Sequence, residues 1–140
     1  MADAKEIVKR LIEEPWTGNV AVIDEYVSPD FVGYDAAEPE PIRGPAGVKA
    51  NVAKYLAGFS DARCTVDDQV AEGDKVATRW TGHGTHDGEI AGIAPTGKEI
   101  TITGLTISRV ENGMLVEDRT VWDTLGMLVQ LGAVPMPTTA

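Results

Sequence analysis

Residues Glu99 to Trp122 read EITITGLTISRVENGMLVEDRTVW. Two runs with a period near two flank Glu111-Asn112-Gly113, which is the pattern of an antiparallel hairpin. Asn112-Gly113 can close it as a two-residue turn that pairs Glu111 with Met114. Alternatively, Glu111-Asn112-Gly113 forms a three-residue loop with Gly113 in the left-handed region. The three-residue loop is preferred. It pairs Val110 with Met114, Ser108 with Val116, Thr106 with Asp118, Gly104 with Thr120 and Ile102 with Trp122. One face then has apolar ends and a polar centre of Thr106, Asp118 and Thr120, which is what a ligand pocket needs. A one-residue slip would set Asp118 against Ile107 and break the grouping. The competing reading is that these side chains simply face water.

Working outward, strands are expected at Thr65–Val70 and Lys75–His83, besides Glu99–Val110 and Met114–Trp122. Glu72-Gly73-Asp74 and the glycine-rich stretch from Gly82 to Gly97 separate them. Before Cys64 the spacing is helical. Asp3 caps a helix carrying Ile7, Val8, Leu11 and Ile12, which Pro15 and Gly18 stop. Asn19 is the expected cap of a second short helix through Tyr26, ended by Ser28-Pro29. Phe31 to Ile42, with Glu38-Pro39-Glu40-Pro41, reads as a loop at the edge of the fold. Pro45 opens a third helix bearing Val48, Val52, Tyr55, Leu56 and Phe59, the main cover of a sheet. A short helix at Leu125–Leu131 precedes a proline-rich tail, 133–140, expected to fray. Helices first and antiparallel strands later, without a βαβ rhythm, indicate an α+β fold in one domain over 1–140.

Composition narrows the partners. At 140 residues, with 43% hydrophobic and 24% charged residues, the chain has the make-up of a soluble globular domain. The net charge of -10 comes with no basic run, so nucleic acid is not an expected partner. Cys64 is the single cysteine, which excludes an intrachain disulfide and suits a reducing cytoplasm. The start of the chain has no secretory pattern and no apolar run approaches the ~20 residues of a membrane span.

Three stretches in order carry a resemblance: Gly92-Ile93-Ala94-Pro95-Thr96-Gly97-Lys98, Ile107-Ser108-Arg109-Val110-Glu111-Asn112-Gly113, and Trp122-Asp123-Thr124-Leu125-Gly126 with Gln130-Leu131-Gly132. The chain resembles the SnoaL-like polyketide cyclases of the nuclear-transport-factor-2-like superfamily over nearly its whole length. The resemblance implies a cone-shaped, curved mixed or antiparallel sheet, barrel-like, covered by the N-terminal helices and enclosing a deep pocket. It also implies no cofactor, no metal, and a homo-dimer or homo-tetramer. Cyclases of this family close a ring by intramolecular aldol addition, using a pocket aspartate near a histidine. The hairpin alignment places Thr120 at the aspartate position and Thr106 at the histidine position. A threonine hydroxyl cannot take a proton from carbon at neutral pH. Asp118, of the same strand parity as Thr120, is therefore the expected acid/base. A second branch resembles ring hydroxylases without a bound cofactor, in which the substrate itself passes an electron to oxygen, with or without a separate reductase. The function expected is aromatic polyketide tailoring, with hydroxylation ahead of cyclisation. A non-catalytic binder of a small hydrophobic or aromatic molecule is the alternative, followed by a proton-transfer isomerase or hydrolase.

Catalytic candidates are thus Asp118, Thr120 and Thr106. Trp16, Trp80 and Trp122 are candidates to stack on an aromatic ligand, though core packing is the commoner role of each. Tyr34 and Asp35 are a candidate phenol–carboxylate pair. Arg79 is a candidate for an enolate, set against simple pairing with a nearby acid. His83, with His86 and Asp87, reads as a pocket-rim or surface group rather than a metal site. Asp123 is either part of the family's terminal Trp-Asp pair or a helix cap.

Overall fold

The computed structural model describes residues 3–136. Helix α1 (Ala4–Glu13) runs into a 3-10 turn (Glu14–Thr17) and α2 (Ala21–Tyr26). Strands β1 (Val27–Asp35) and β2 (Ile42–Arg43) precede α3 (Gly44–Gly58). Strands β3 (Arg63–Glu72), β4 (Lys75–Thr85), β5 (Glu99–Glu111) and β6 (Met114–Trp122) follow, and α4 (Thr124–Gln130) closes the order. The expected frayed tail falls partly on residues 137–140, outside the described residues; Ala133 is held by its N–H to the Leu128 carbonyl at 2.9 Å.

The six strands form one sheet in the order β2-β1-β6-β5-β4-β3. The sheet is curved but stays open: β2 and β3 are its two edges, so the expected barrel is not closed. Helix α1 packs on β3 and β4, and α3 on β1, which covers one face. No described helix is long and apolar enough to cross a membrane.

Three expectations are corrected here. Phe31 to Asp35 is strand, not loop; only residues 36–41 are irregular. β1 pairs in parallel with β6, through Val27↔Leu115 and then Val32↔Glu117 to Asp35↔Thr120. Pro29 lies in the interval where that register shifts, so its missing N–H removes no ladder bond. Parallel pairing needs a long crossover, supplied by everything between β1 and β6. Asn19 does not cap α2: its Nδ2 donates to Glu14 Oε1 at 2.7 Å, and the cap position is Val20. Gly82 and Gly84 belong to β4 rather than to a separator. A Cβ at Gly84 would lie 2.9 Å from Phe59, so the missing side chain lets the end of α3 close on the strand.

A fourth correction concerns the hairpin. Its turn is the two-residue one, with Asn112 at φ 53 and Gly113 at φ 75, and Glu111 faces Met114. Val110 then pairs with Leu115, but Arg109 pairs with Glu117, leaving Val116 as an extra residue on β6. This bulge restores the polar face. Beyond it Ser108 faces Asp118, Thr106 faces Thr120 and Gly104 faces Trp122. Each pairing differs by two residues from the expected register, and a shift of two keeps every side chain on its side of the sheet. Asp118, Thr106 and Thr120 stay together. The residues misplaced are Met114 and Val116, since Leu115, 4% exposed, points inward instead.

Two apolar clusters hold the fold. Ile7, Val8, Val22, Ile23, Val76 and Leu115 lie under α1 and α2. Phe59, Ile90, Ile100, Ile102, Met127 and Leu131 lie at the other end. Asp123 resolves as a cap, its Oδ1 accepting the Gly126 N–H at 2.8 Å. Asp123→Ala is expected to lower unfolding free energy by about 1 kcal/mol. Ligand affinity should stay unchanged, as denaturant titration beside a binding isotherm would read.

Candidate functional site

Both clusters lend residues to a cavity of about 240 Å³ between the sheet and the helices, among them Phe31, Phe59, Ile102 and Met127. A dry cavity of about 150 Å³ accepts one benzene ring, so this larger one, which also opens to solvent, has room for an aromatic ring system. Its walls are mostly apolar. Its polar groups include Asn51 and Tyr55 of α3, Arg63 and His83, and side chains from two adjacent rungs of the sheet.

The first rung crosses β1, β6, β5 and β4 as Asp35, Thr120, Thr106 and Thr78. Trp80 Nε1 donates to Thr106 Oγ1 at 3.0 Å, and Thr106 Oγ1 lies 2.9 Å from Thr120 Oγ1. Thr78 accepts from Gln69 Nε2 at 3.2 Å, which closes the rung on the β3 side. The second rung is Gly33, Asp118 and Ser108. Gly33 offers no side chain there, and a Cβ on it would meet the Phe31 ring at 2.9 Å.

Asp118 is the group with the most disturbed chemistry. The cavity keeps the residue partly open, yet Oδ1 is out of solvent contact and has no hydrogen-bond partner among the described residues. Burial pushes its carboxyl up to about 7; the Ser108 hydroxyl opposite opposes the rise, and the charge of Glu117 adds slightly to it. Ser108 Oγ is itself buried without a partner in conventional geometry. A carboxylate that titrates near neutrality inside a pocket can accept and return a proton under ordinary conditions.

Asp35 is a second carboxylate on this face. Burial raises its pKa, and the charge of Glu38 adds to the rise. The Ala37 N–H at 2.8 Å, the Trp122 indole and Lys54 oppose it. Tyr55 stands edge-on to Trp122, with ring centroids 6.0 Å apart, and donates its hydroxyl to Glu38 Oε1 at 3.0 Å. Burial raises that phenol, which therefore stays protonated. Cys64 also lines the cavity, its thiol pushed up to about 12 by burial and by Glu13 and Asp67, so it serves as apolar wall.

Of the residues expected at the site, Asp118, Thr120, Thr106, Asp35, Trp122, Trp80 and Trp16 all line the cavity. Arg79 does not. Alternation along β4 puts it on the outer face, 58% exposed and 3.6 Å from Asp67, while Trp80 and Thr78 point inward. Tyr34 borders the cavity, but it is 41% exposed and lies under the Arg119 guanidinium at 4.4 Å. The phenol–carboxylate pair with Asp35 is thus not formed, because neighbouring strand residues face opposite ways. His83 borders the cavity as an exposed residue with Nδ1 3.3 Å from Thr101. His86 is fully buried elsewhere: its Nδ1 accepts the Thr96 N–H at 3.1 Å, and Asp87 binds the Ser60 N–H at 2.9 Å. No cluster of three metal-ligating side chains occurs among the described residues. Sequence reasoning missed Thr78, Ser108, Tyr55 and Cys64. Only the pairing of β4 with β5 would have revealed Thr78 as a partner of Thr106.

An open, helix-covered, six-stranded sheet in this order, with a desolvated carboxylate and a hydroxyl chain on its inner face, defines an α+β protein of the nuclear-transport-factor-2-like fold class. Within it, the chain belongs to the SnoaL-like polyketide cyclase family, whose pattern matches residues 6–131. It is 29% identical over 140 residues to the aklanonic acid methyl ester cyclase AcmA of Streptomyces galilaeus, covering 99% of this chain and 96% of that protein. Among solved structures it is similar to wild-type IdmH of Streptomyces antibioticus, a proposed polyketide cyclase (34% identity, TM-score 0.82, 94% of this chain and 99% of that one). It is also similar to AclR of Streptomyces galilaeus, a proposed hydroxylase (29% identity, TM-score 0.83, 99% of this chain and 87% of that one).

Proposed function

We propose that the chain is a polyketide-tailoring enzyme that works by proton transfer and closes a ring by intramolecular aldol addition. The observation that carries this reading is the unpartnered Asp118 Oδ1 in the cavity, on a carboxyl whose pKa lies at about 7. The Asp118 carboxylate takes a proton from a carbon next to a carbonyl. The enolate carbon forms a bond to a second carbonyl carbon of the same molecule, whose oxygen becomes an alkoxide. The Asp118 acid returns the proton to that alkoxide, so the product is an isomer of the substrate and the enzyme is regenerated. This reverses the order expected from Thr120 alone, because the carboxylate lost from that position has a counterpart two residues earlier on the same face. A base so placed contributes about 10²–10⁴-fold.

Hydroxylation is the second reading, favoured by the likeness to AclR and by hydroxyl donors that can hold a phenolate. It requires molecular oxygen and electrons from the substrate or a reductase. Self-association into a dimer or tetramer belongs to the same proposal, with support in the exposed Leu105, Ile107 and Val121 on the outer face of the sheet. A cytoplasmic setting rests on the lone thiol of Cys64.

Incubation with aklanonic or nogalonic acid methyl ester, with and without oxygen, tests the reading by mass spectrometry. A product of unchanged mass that forms equally without oxygen is the expected result. A gain of one oxygen atom that depends on oxygen would replace it with hydroxylation, and tight binding without turnover would replace it with a binding protein.

A further inference from the structure

We infer that the cavity contains a built site for an ionised enol or phenol oxygen at the Thr120 hydroxyl, aimed by Thr106 and Trp80 and distinct from the Asp118 carboxylate. The argument rests on who can donate to whom. An indole N–H donates and never accepts. The Trp80 bond therefore fills one acceptor position of Thr106 Oγ1 and leaves the Thr106 proton in need of an acceptor. Thr106 is 5% exposed, and Thr120 Oγ1 at 2.9 Å is its one side-chain acceptor among the described residues. The reverse order would leave the Thr106 proton buried and unpaired, at a cost of about 1–3 kcal/mol. The chain of bonds thus runs from Trp80 through Thr106 to Thr120. The Thr120 proton is left over, on a residue that lines the cavity and has no further acceptor among the described residues.

Such a chain polarises its last donor, and it is held in place. The Trp80 ring lies so close over Gly104 that a Cβ there would stand 2.3 Å from it. A fixed donor in an apolar cavity favours a localised negative oxygen over a neutral one. The spacing to Asp118 adds a second constraint. Thr120 lies two residues along β6 on the same face, about 7 Å away at the rise of a strand. That span holds one hydrogen bond, one C–C–O unit and one proton-transfer contact. The ligand class this selects is a ring or chain whose acidic carbon is adjacent to the carbon bearing the oxygen, as in an enolisable ketone or a phenol. The catalytic meaning of the site rests on the proton-transfer reading; its existence does not.

A para-nitronaphthol, whose anion absorbs at longer wavelength than its neutral form, reads the site without turnover. The naphthol and its methyl ether are titrated against wild type, Trp80→Phe, Thr106→Val and Thr106→Ser, with thermal melting to show that each variant is folded. The expected result is that Trp80→Phe and Thr106→Val each weaken binding of the anion about tenfold, raising the bound phenol's pKa by about one unit. Affinity for the ether should hold, and Thr106→Ser should behave as wild type. Equal phenol pKa values in all four proteins, parallel losses for naphthol and ether, or no binding to wild type would overturn the inference. The two readings fail separately: the anion shift without turnover of the methyl esters removes the ring-closing proposal alone, and turnover without the shift removes the oxygen site alone.

Discussion

Asp118→Asn should reduce turnover of a cyclisable substrate by at least about 10²-fold while leaving ligand affinity within a few-fold, since the amide keeps the shape but cannot accept the proton. Wild-type activity should rise through pH about 7, as the carboxyl pushed up to that value ionises. The same substitution should stabilise the protein. Unfolded, this carboxyl returns to its ordinary 3.8, so between pH about 4 and about 7 the folded state binds the extra proton and stability falls as pH rises. Above pH 7 the loss is complete, on the order of a few kcal/mol. Asn escapes it. The gain in melting temperature over wild type should therefore be small near pH 4, grow to about pH 7 and level off above. A variant less stable than wild type at pH 8 would mean that the carboxylate is not desolvated as described.

Gly104→Ala is the second substitution with a large expected effect. The added Cβ would meet the Trp80 ring at 2.3 Å, and the ring cannot yield without giving up its bond to Thr106. Overpacking of this kind costs about 1–3 kcal/mol. Turnover should fall with it, and Trp80 emission should shift as its N–H loses its partner. Stability and activity both within error of wild type would show that the indole has room to move.

The fold was legible wherever the information is local. The four long strands from Thr65 to Trp122 alternate along their own length, and Asp3, Pro45 and Asp123 mark helix starts by chemistry that spans a few residues. β1 was hidden because its partner, β6, is more than eighty positions away and because Pro29, Pro39 and Pro41 argue for loop. At the site, Asp118, Thr120 and Thr106 were recognisable as a group because their grouping depends on parity alone. Thr78 and Ser108 were not, since a buried hydroxyl on a strand looks like any other until the neighbouring strand is placed. Arg79 illustrates the reverse: it sits one step from the pocket residue Trp80, and one step is the difference between the two sides of a sheet, so it pairs with Asp67 instead.

The extra residue at Val116 has a consequence for how this hairpin can diverge. It acts as a phase shifter: upstream of it the odd position Leu115 is the inward one, downstream the even positions Asp118, Thr120 and Trp122 are. Loss of Val116 would leave a regular ladder with Asp118 still opposite Ser108, whereas loss of one residue between Asp118 and Trp122 would turn Trp122 to the other side of the sheet. The bulge thus absorbs a change of one residue beside the turn, while the alternate spacing of Asp118, Thr120 and Trp122 beyond it admits none.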